Sequence, residues 1–499
     1  MDASVIVVGA GPSGLMLAGE LRLAGSSVIV LERLAQPSGE SRGLGFTART
    51  MEVFDQRGLL PRFGEIETGT MGHFGGLPLD LGCLDGRHEA AKVVQQSVTE
   101  RVLESWATEL GADIRRRHEF LELDDLTDSV VVRVRGPEGE HVLRASYLVG
   151  CDGGRGRVRK AAGFDFPGSE ATAELLLADI RGVEVPRRVA GSSVRGGMAM
   201  SAPMGGGVSR VILSERGAPL RSRTRRPEFS EVADAWKRLT GVDISDGEPV
   251  WVSAFTDAAR QVTQYRRGRV LLAGDAAHIH LPAGGQGMNT SIQDSVNLGW
   301  KLAAVVRGTA PEHLLDTYHE ERHPVGRRLL TNARAQGLLI LGGDDMQPLR
   351  DVLSELMDHE EVRRHLAAMV SGLEIRYDMG GGSHPLLGLR MPHLDLTVGT
   401  RGTGSTELLR PGRGVLLDLT GNDHLRRRAG GWAARIDIVT ADASALPDNS
   451  PLAGTSALLL RPDGHICWTA PGSHTDLRSA LARWFGPPAA GMPGPTRPS

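Results

Sequence analysis

Val5-Ile6-Val7-Val8-Gly9-Ala10-Gly11-Pro12-Ser13-Gly14 is the stretch of sequence that decides the fold. A short β-branched run predicts a buried parallel strand, and the six residues after it have the G-x-G-x-x-G spacing of a dinucleotide-binding turn. The first glycine permits the tight turn, the second lets backbone approach a pyrophosphate, and the third lets helix and strand pack closely. The apolar stripe that follows predicts a helix whose N-terminus offers amide donors to the phosphates.

A second strand and an acid complete this unit. Val28-Ile29-Val30-Leu31 predicts the strand, and Glu32 ends it where a carboxylate can bind a ribose 2′-hydroxyl. The predicted dinucleotide-binding residues here are therefore Gly9, Gly11, Pro12, Ser13, Gly14 and Glu32. The fingerprint alone does not distinguish NAD from FAD.

The composition is that of an ordinary globular chain, and it excludes several classes. The 499 residues are 40% hydrophobic and 23% charged, with a net charge of -3, so no basic excess favours nucleic acid or anionic lipid. Cys83, Cys151 and Cys467 lack C-x-x-C spacing, which argues against a disulfide framework and a zinc site. No secretion signal or bilayer-length apolar stretch is visible, so we expect a cytoplasmic protein with no membrane partner.

Two further glycine-flanked acids and a glycine-rich turn occur later in the chain. They are Gly150-Cys151-Asp152-Gly153-Gly154, Val270-Leu271-Leu272-Ala273-Gly274-Asp275-Ala276-Ala277-His278, and Pro282-Ala283-Gly284-Gly285-Gln286-Gly287-Met288-Asn289. In this order the motifs resemble those of the FAD-dependent (group A) aromatic monooxygenases. That superfamily contains para-hydroxybenzoate hydroxylase and phenol hydroxylase, and the chain looks most like bacterial aromatic polyketide hydroxylases.

The resemblance implies a cofactor and a reaction. It implies non-covalent FAD, reduced by a nicotinamide nucleotide (NADPH by family analogy) and reoxidised by O2. The resulting flavin C4a-hydroperoxide would hydroxylate a polycyclic, polyketide-type aromatic substrate. Asp275 is implied to bind the ribityl hydroxyls. The flavin ring is implied to lie near Pro282, Gly284, Gly285, Gln286 and Gly287, with Met288 and Asn289 as further contacts.

Other residues match family positions near the cofactor. They are Arg33, Arg42, Gln96, Arg101, Asp152 and Gly274. Asp152 has two interpretations, a role near the pyrophosphate or an ordinary β-turn. His278 and His280 form an H-x-H pair with no third ligand nearby in sequence, so we predict no metal site. No catalytic base is identifiable.

The expected fold is α/β: a Rossmann-like GR2-type FAD-binding domain, an inserted antiparallel substrate domain and a C-terminal thioredoxin-like domain. We assign residues 1–72, 97–172 and 268–395 to the first, 73–96 and 173–267 to the second, and 396–490 to the third. Residues 491–499 are expected to be a disordered tail. The sequence further predicts a long helix beginning near Thr290 and a linker from Tyr377 to Thr406.

Several alternatives stay open. Baeyer–Villiger oxygenation or epoxidation of a polyketide would suit the same scaffold, and a non-catalytic FAD-binding sensor is the alternative from another class. A flavin halogenase is disfavoured because no Trp-x-Trp-x-Ile signature is found. The oligomeric state is open between monomer and homodimer. Trp251, Phe255, Met198, Met200 and Met204 either line a substrate pocket or fill the core.

Overall fold

The computed structural model describes residues 1–65, 68–84, 86–88, 91–189, 193–223, 225–442, 450 and 452–489. The strands are β1 (Ala3–Val8), β2 (Val28–Glu32), β3 (Thr68–Gly69), β4 (Met71–Phe74), β5 (Leu77–Asp80), β6 (Ala91–Lys92), β7 (Asp113–Arg116), β8 (Glu119–Asp125), β9 (Val130–Gly136), β10 (Gly139–Gly150), β11 (Gly168–Ser169), β12 (Glu174–Arg181), β13 (Ser193–Val194), β14 (Gly197–Gly205), β15 (Val208–Glu215), β16 (Glu248–Thr256), β17 (Ala259–Gln261), β18 (Arg266–Arg267), β19 (Val270–Leu272), β20 (His278–Ile279), β21 (Asp395–Val398), β22 (Arg401–Gly404), β23 (Gly414–Asp418), β24 (Ile436–Thr440), β25 (Ala457–Leu460) and β26 (Ile466–Ala470). The α-helices are α1 (Pro12–Leu23), α2 (Ala48–Gln56), α3 (Gln96–Glu109), α4 (Arg157–Ala161), α5 (Phe229–Thr240), α6 (Gln286–Val306), α7 (Asp316–Leu341), α8 (Gln347–Met357), α9 (Glu360–Ser371), α10 (Asp423–Ala429) and α11 (Leu477–Phe485).

The largest sheet has the parallel core that the first motif predicts. Its strand order is β18-β19-β10-β1-β2-β7, and β8 and β9 extend β10 as an antiparallel hairpin. β1 is parallel to both β10 and β2, and β10 is parallel to β19. The β-branched residues of β1 are buried because α1 and α6 cover the sheet, with α1 packed against α6. The predicted Rossmann-like α/β fold is thus confirmed.

A second sheet forms a separate layer. Five strands pair in the order β13-β14-β15-β12-β16, and the described pairs are antiparallel, as the alternating sequence predicts. One face of this sheet packs on α5 around the buried Trp236. The other face contributes Leu175 and Met198 to a cluster with Leu281 and Ala283, which belong to the glycine-rich turn before α6.

Residues 71–80 do not join that sheet, although we assigned 73–96 to the same domain. β4 and β5 pair only with each other among the described strands. Their apolar side chains, including Phe74 and Leu79, pack with Leu339 of α7 and Met357 of α8. A two-stranded hairpin needs such a helical support because it buries too little surface alone. In the part of the chain that the structure describes, no helix is long and apolar enough to cross a membrane.

The C-terminal part has its own mixed sheet, with the order β24-β23-β25-β26. β23 is parallel to β24 and antiparallel to β25, and Trp432 and Trp484 pack beneath the sheet with Trp300 of α6. The thioredoxin-like assignment stays a prediction. The expected linker 377–406 is partly structured, because β21 and β22 form a hairpin inside it. The predicted tail 491–499 lies outside the described residues.

His465 makes the stability of this C-terminal part depend on pH. The imidazole is buried, its Nδ1 lies 3.0 Å from the carbonyl oxygen of Gly388, and burial lowers its pKa to about 3 although Asp463 acts in the opposite direction. The unfolded chain therefore takes up a proton near pH 6.5 that the folded chain does not. The contribution of the neutral His465 side chain to the free energy of unfolding is fully present above pH 6.5. It is lost as the pH falls from 6.5 through 3, by about 1.4 kcal/mol per pH unit.

We expect a His465→Gln variant to lose about 2 kcal/mol less stability than the parent between pH 6.5 and pH 5. Urea unfolding at the two pH values, followed by tryptophan fluorescence, measures the difference. His424→Gln, at an exposed position of α10, is the control and should retain the parent's pH dependence. Equal pH dependence in the parent and His465→Gln would contradict the assignment.

Candidate functional site

The three acid-bearing or glycine-rich turns meet at one edge of the parallel sheet. Val8 of β1 lies beside Gly150 of β10, and Gly150 lies beside Leu272 of β19. Because these strands are parallel, the residues that follow them emerge at the same carboxyl edge. That edge is where open α/β sheets bind nucleotides.

The glycines of the first turn divide into two kinds. A Cβ atom on Gly9, whose φ is 106°, would lie 2.4 Å from the carbonyl oxygen of Cys151. A Cβ on Gly14 would lie 1.9 Å from the carbonyl oxygen of Gly9. A Cβ on Gly11 would meet no described atom within 4 Å, so this residue borders open space. Gly9 and Gly14 are required by packing, whereas the open space beside Gly11 fits a pyrophosphate.

Pro12 and Ser13 begin α1, and the side chain of Ser13 is used inside the protein. Pro12 occupies the first helical position, where a missing N–H costs nothing. The Ser13 hydroxyl lies 2.9 Å from the Ser295 hydroxyl of α6 and is buried. Ser13 therefore ties α1 to α6, and only its backbone is available to a phosphate.

Glu32 braces the glycine turn through both carboxylate oxygens. It accepts hydrogen bonds from the amides of Ala10 at 3.0 Å and Leu34 at 2.8 Å. The next residue, Arg33, is exposed and lines a cleft of about 300 Å³ with Arg117, Glu119, Arg135 and Gly136. This cleft lies at the end of β2, where the fold directs the adenosine half of a dinucleotide.

Asp152 caps a helix. Its Oδ2 accepts hydrogen bonds from the amides of Arg157 and Val158 at the start of α4, the latter at 3.0 Å. Burial raises the pKa of its carboxyl group, while the two amide hydrogen bonds act against that rise. Asp152 thus has a local structural role. Its other oxygen, Oδ1, is buried without a hydrogen-bond partner among the described residues, and the role near the pyrophosphate stays a prediction.

Gly274 and Asp275 form the turn after β19. Gly274 has a φ of 63°, and a Cβ there would lie 2.9 Å from Ser291 of α6. The Asp275 side chain is exposed and has no hydrogen-bond partner among the described residues. The turn thus presents a carboxylate that the protein itself leaves unused.

The glycine-rich turn leads directly into α6. Gly284 and Gly285 both have positive φ, 70° and 66°, and Pro282 and Gly285 are exposed. Gly287 and Met288 follow in the first helical turn, half-buried. The helix begins at Gln286 and not near Thr290 as predicted, because the two left-handed glycines complete the reversal by Gly285. No side chain caps this N-terminus, which leaves its amides available to a ligand.

Asn289 and Gln286 fasten the turn to the rest of the protein. The Asn289 side chain accepts from the Thr47 amide at 2.9 Å and donates to the Gly45 carbonyl at 3.1 Å. The Gln286 side chain donates to the Met369 carbonyl at 3.1 Å. The side chains of both predicted contact residues thus bind neighbouring segments: Asn289 the loop before α2, and Gln286 the end of α9.

Gln96 has a similar role beside Arg42. Its Oε1 accepts from the Gly43 amide at 3.1 Å, and its Nε2 donates to Glu100 at 2.8 Å. Arg42 and Arg101 are both exposed. Gln96 therefore holds the loop that carries Arg42.

Sequence reasoning missed Asp294 and Arg322, which lie beneath the Gly274 turn. Asp294 accepts from the Gly274 amide at 3.2 Å and contacts Nε2 of His278 at 2.8 Å, while Arg322 donates to it at 2.7 Å. An acid within the nearly continuous buried stretch of α6 was the available signal. His280, whose pKa is lowered by burial, contacts the Leu281 carbonyl, and no group of three metal-ligating residues occurs among the described residues.

Two family matches and several relatives fit this geometry. Residues 2–333 match the family described as FAD binding domain, and residues 384–488 match the C-terminal domain of aromatic-ring hydroxylases. The solved structure of CabE, an aromatic hydroxylase from angucycline biosynthesis, is 64% identical with a TM-score of 0.96 and covers 98% of this chain and 100% of its own. BexE, studied for oxidation during BE-7585A biosynthesis, is 66% identical with a TM-score of 0.93 and the same coverage.

A third relative is a monooxygenase by name. The 12-dehydrotetracycline 5-monooxygenase/anhydrotetracycline 6-monooxygenase of Streptomyces rimosus is 45% identical over 98% of this chain and 100% of its own length. The predicted family and cofactor are therefore confirmed. This chain belongs to the FAD-dependent aromatic-ring monooxygenases, and FAD is its cofactor.

Proposed function

We propose that this enzyme uses NADPH and O2 to hydroxylate a polycyclic, polyketide-type aromatic compound in the cytoplasm. The observation that carries the proposal is an apolar cluster where the five-stranded sheet meets the glycine-rich turn and α7, which we call the apolar surface. Leu175, Met198, Leu281, Ala283 and Ile340 are buried in it, and Met200, Ile212, Phe255 and Leu341 are half-buried at its margin. Flat aromatic rings are bound by such apolar walls. The names of CabE and the anhydrotetracycline monooxygenase support the same substrate class.

Two of the five candidate pocket residues, Trp251 and Met204, are not members of this cluster. Trp251 packs with the guanidinium of Arg210, which lies 5.5 Å from its ring centroid and is paired with Asp179. The Met204 carbonyl accepts a hydrogen bond from Gln95. Met198, Met200 and Phe255 are accordingly the three that we retain as pocket residues.

We assign the parts of FAD along the carboxyl edge of the parallel sheet. The ADP half lies at Gly9–Gly14 and Glu32, with Arg33 at the adenosine end, and the ribityl chain lies at Asp275. The ring lies against Pro282–Gly287. The open space beside Gly11 and the unpartnered carboxylate of Asp275 support this placement. Arg42 and Arg101 are exposed and free to approach the phosphates.

The protein itself positions the cofactor and the substrate, stabilises negative charge and excludes water. When bound, FAD supplies the electron transfer and oxygen activation that side chains cannot. The uncapped N-terminus of α6 stabilises negative charge placed against it by about 0.3–2 kcal/mol. The apolar surface holds the aromatic ring against the turn and excludes water, which would otherwise divert the oxidant.

Product analysis tests the proposal. The enzyme is supplied with NADPH, ¹⁸O₂ and a panel of polycyclic phenols and quinones, and products are analysed by mass spectrometry. One labelled oxygen on an intact ring system is the expected result, with NMR separating a phenol from an epoxide. A lactone would instead establish Baeyer–Villiger chemistry. Absence of NADPH oxidation with every aromatic ligand would favour the non-catalytic sensor.

A Phe255→Ala variant should weaken substrate binding and water exclusion together. We expect KM for the aromatic substrate to rise about tenfold, because truncation removes about 1.4 kcal/mol of apolar contact. The share of NADPH oxidation that ends in hydrogen peroxide should also rise. Steady-state kinetics with a peroxide assay measures both. Val250→Ala, at an exposed site on the same strand, is the control; an unchanged KM and peroxide yield in Phe255→Ala would remove Phe255 from the pocket.

A further inference from the structure

Two buried ion pairs, carried by neighbouring residues of α7, connect the C-terminal domain with the Gly274–Asp275 turn. We call Arg461, Glu321, Arg322 and Asp294 the buried charge chain. Arg461, which follows β25, donates to Glu321 of α7 at 2.8 Å. Arg322, the next residue of α7, donates to Asp294 of α6 at 2.7 Å.

The chain ends directly beneath the predicted ribityl contact. One oxygen of Asp294 accepts the Gly274 amide at 3.2 Å and contacts the His278 ring at 2.8 Å. These two residues flank Asp275, so Asp294 holds both ends of the segment that presents its carboxylate. A shift of Asp294 would therefore move Asp275.

The chain is inaccessible to water and fully ionised. Arg461, Arg322 and Asp294 are each 0% exposed, and Glu321 is 7% exposed. Contact with Arg461 and Lys301 outweighs burial and holds the pKa of Glu321 at about 2, and Arg322 and His278 likewise keep the pKa of Asp294 low. Loss of one partner leaves an uncompensated buried charge. Glu321 and Arg322 are successive residues of α7 whose side chains do not face each other. A disturbance at Arg461 therefore reaches Arg322 through the helix backbone and through Tyr377, whose ring centroid lies 5.3 Å from the Arg461 guanidinium.

Arg322 is also connected to the C-terminal domain through Tyr377. Arg322 donates to the Tyr377 hydroxyl at 3.0 Å, and the Tyr377 ring lies 4.2 Å from the ring of His465. Neither Arg461 nor Arg322 takes part in the function proposed so far. Tyr377 contacts both of them.

We propose that Arg461 is a positioning residue for FAD, acting through Glu321, Arg322 and Asp294 on the turn that carries Asp275. The C-terminal domain thereby forms part of the flavin site although it lines none of it. This inference rests on the proposed placement of the ribityl chain at Asp275.

The test is a double-mutant cycle on FAD affinity in the full-length chain. Arg461→Met, Asp294→Asn and the double variant are stripped of FAD, and FAD is titrated back while flavin fluorescence is followed. We expect Arg461→Met to weaken FAD binding about fivefold, within the range that residues along a coupling path produce. The double variant should bind FAD no more weakly than Asp294→Asn alone, because both changes break one chain.

Arg413→Met is the matched control. Arg413 makes four hydrogen bonds, to Asp437, Ala434, Ala433 and Ile436, all inside the C-terminal domain. The Arg413→Met variant should have a lower melting temperature than the parent and the same FAD affinity. If Arg461→Met does not fold, Glu321→Gln replaces it in the cycle and should weaken FAD binding about threefold.

Each outcome has one meaning. FAD affinity within twofold of the parent in the folded Arg461 or Glu321 variant would overturn the inference. So would additive losses in the double variant, or an equal loss in Arg413→Met. Failure of Asp275→Ala to affect FAD binding would instead overturn the ribityl placement in the proposed function.

Discussion

An Asp275→Ala variant is expected to fold normally and to bind FAD about 10–100 times more weakly than the parent. The carboxylate is exposed and unpartnered among the described residues, so its removal breaks no contact of the protein with itself. Hydrogen bonds to a charged group contribute about 1.5–3 kcal/mol, which sets the expected loss if the carboxylate holds ribityl hydroxyls. The loss is therefore a loss of ligand contact and not of fold.

Fluorescence titration of the FAD-free protein with FAD measures the affinity, and circular dichroism melting reports the fold. Asp234→Ala, at an exposed carboxylate of α5 in the sheet layer, is the control and should bind FAD like the parent. Unchanged FAD affinity in Asp275→Ala would show that the ribityl chain lies elsewhere.

The sequence predicted the parallel sheet and the meeting of its motifs because those signals are local. Val5–Val8 and Val270–Leu272 are short apolar runs followed closely by a glycine turn, a combination that favours buried strands. Parallel pairing then brings Gly9 and Asp275 to one edge without further information. The inserted antiparallel domain that the sequence predicts is likewise present, with β12, β14, β15 and β16 at its centre.

Contacts between distant segments were not predictable from these patterns. Asn289 and Gln96 match cofactor positions by motif, yet the hydrogen bonds of their side chains to Thr47 and Gly43 depend on how the loop before α2 meets α6 and α3. The helix start at Gln286 depends on two glycines that both adopt positive φ, which spacing does not reveal. A buried acid in α6 marks Asp294 as unusual, but its partner Arg322 comes from α7, 28 residues further along the chain, and that pairing is not readable from the sequence.

Gly11→Ala and Gly9→Ala are expected to have opposite consequences for fold and ligand. At Gly11, φ is -81° and an added Cβ meets nothing, so the apoprotein should lose at most about 1 kcal/mol of stability. FAD affinity should nevertheless fall about 10–100-fold, because a methyl group forced against the pyrophosphate costs about 1–3 kcal/mol. At Gly9, the added Cβ would lie 2.4 Å from the Cys151 carbonyl oxygen at a φ of 106°.

The backbone of Gly9 and the backbone of Cys151 cannot move apart without breaking the hydrogen bond from the Cys151 amide to the Val8 carbonyl, which is 2.8 Å long. Gly9→Ala should therefore be destabilised by about 3 kcal/mol or more and yield little folded protein with or without FAD. Soluble yield, melting temperature of the apoprotein and FAD titration separate the two effects. Full FAD affinity in Gly11→Ala would move the pyrophosphate away from this turn, and a stable Gly9→Ala would show that Gly9 and Cys151 are not packed as the structure has them.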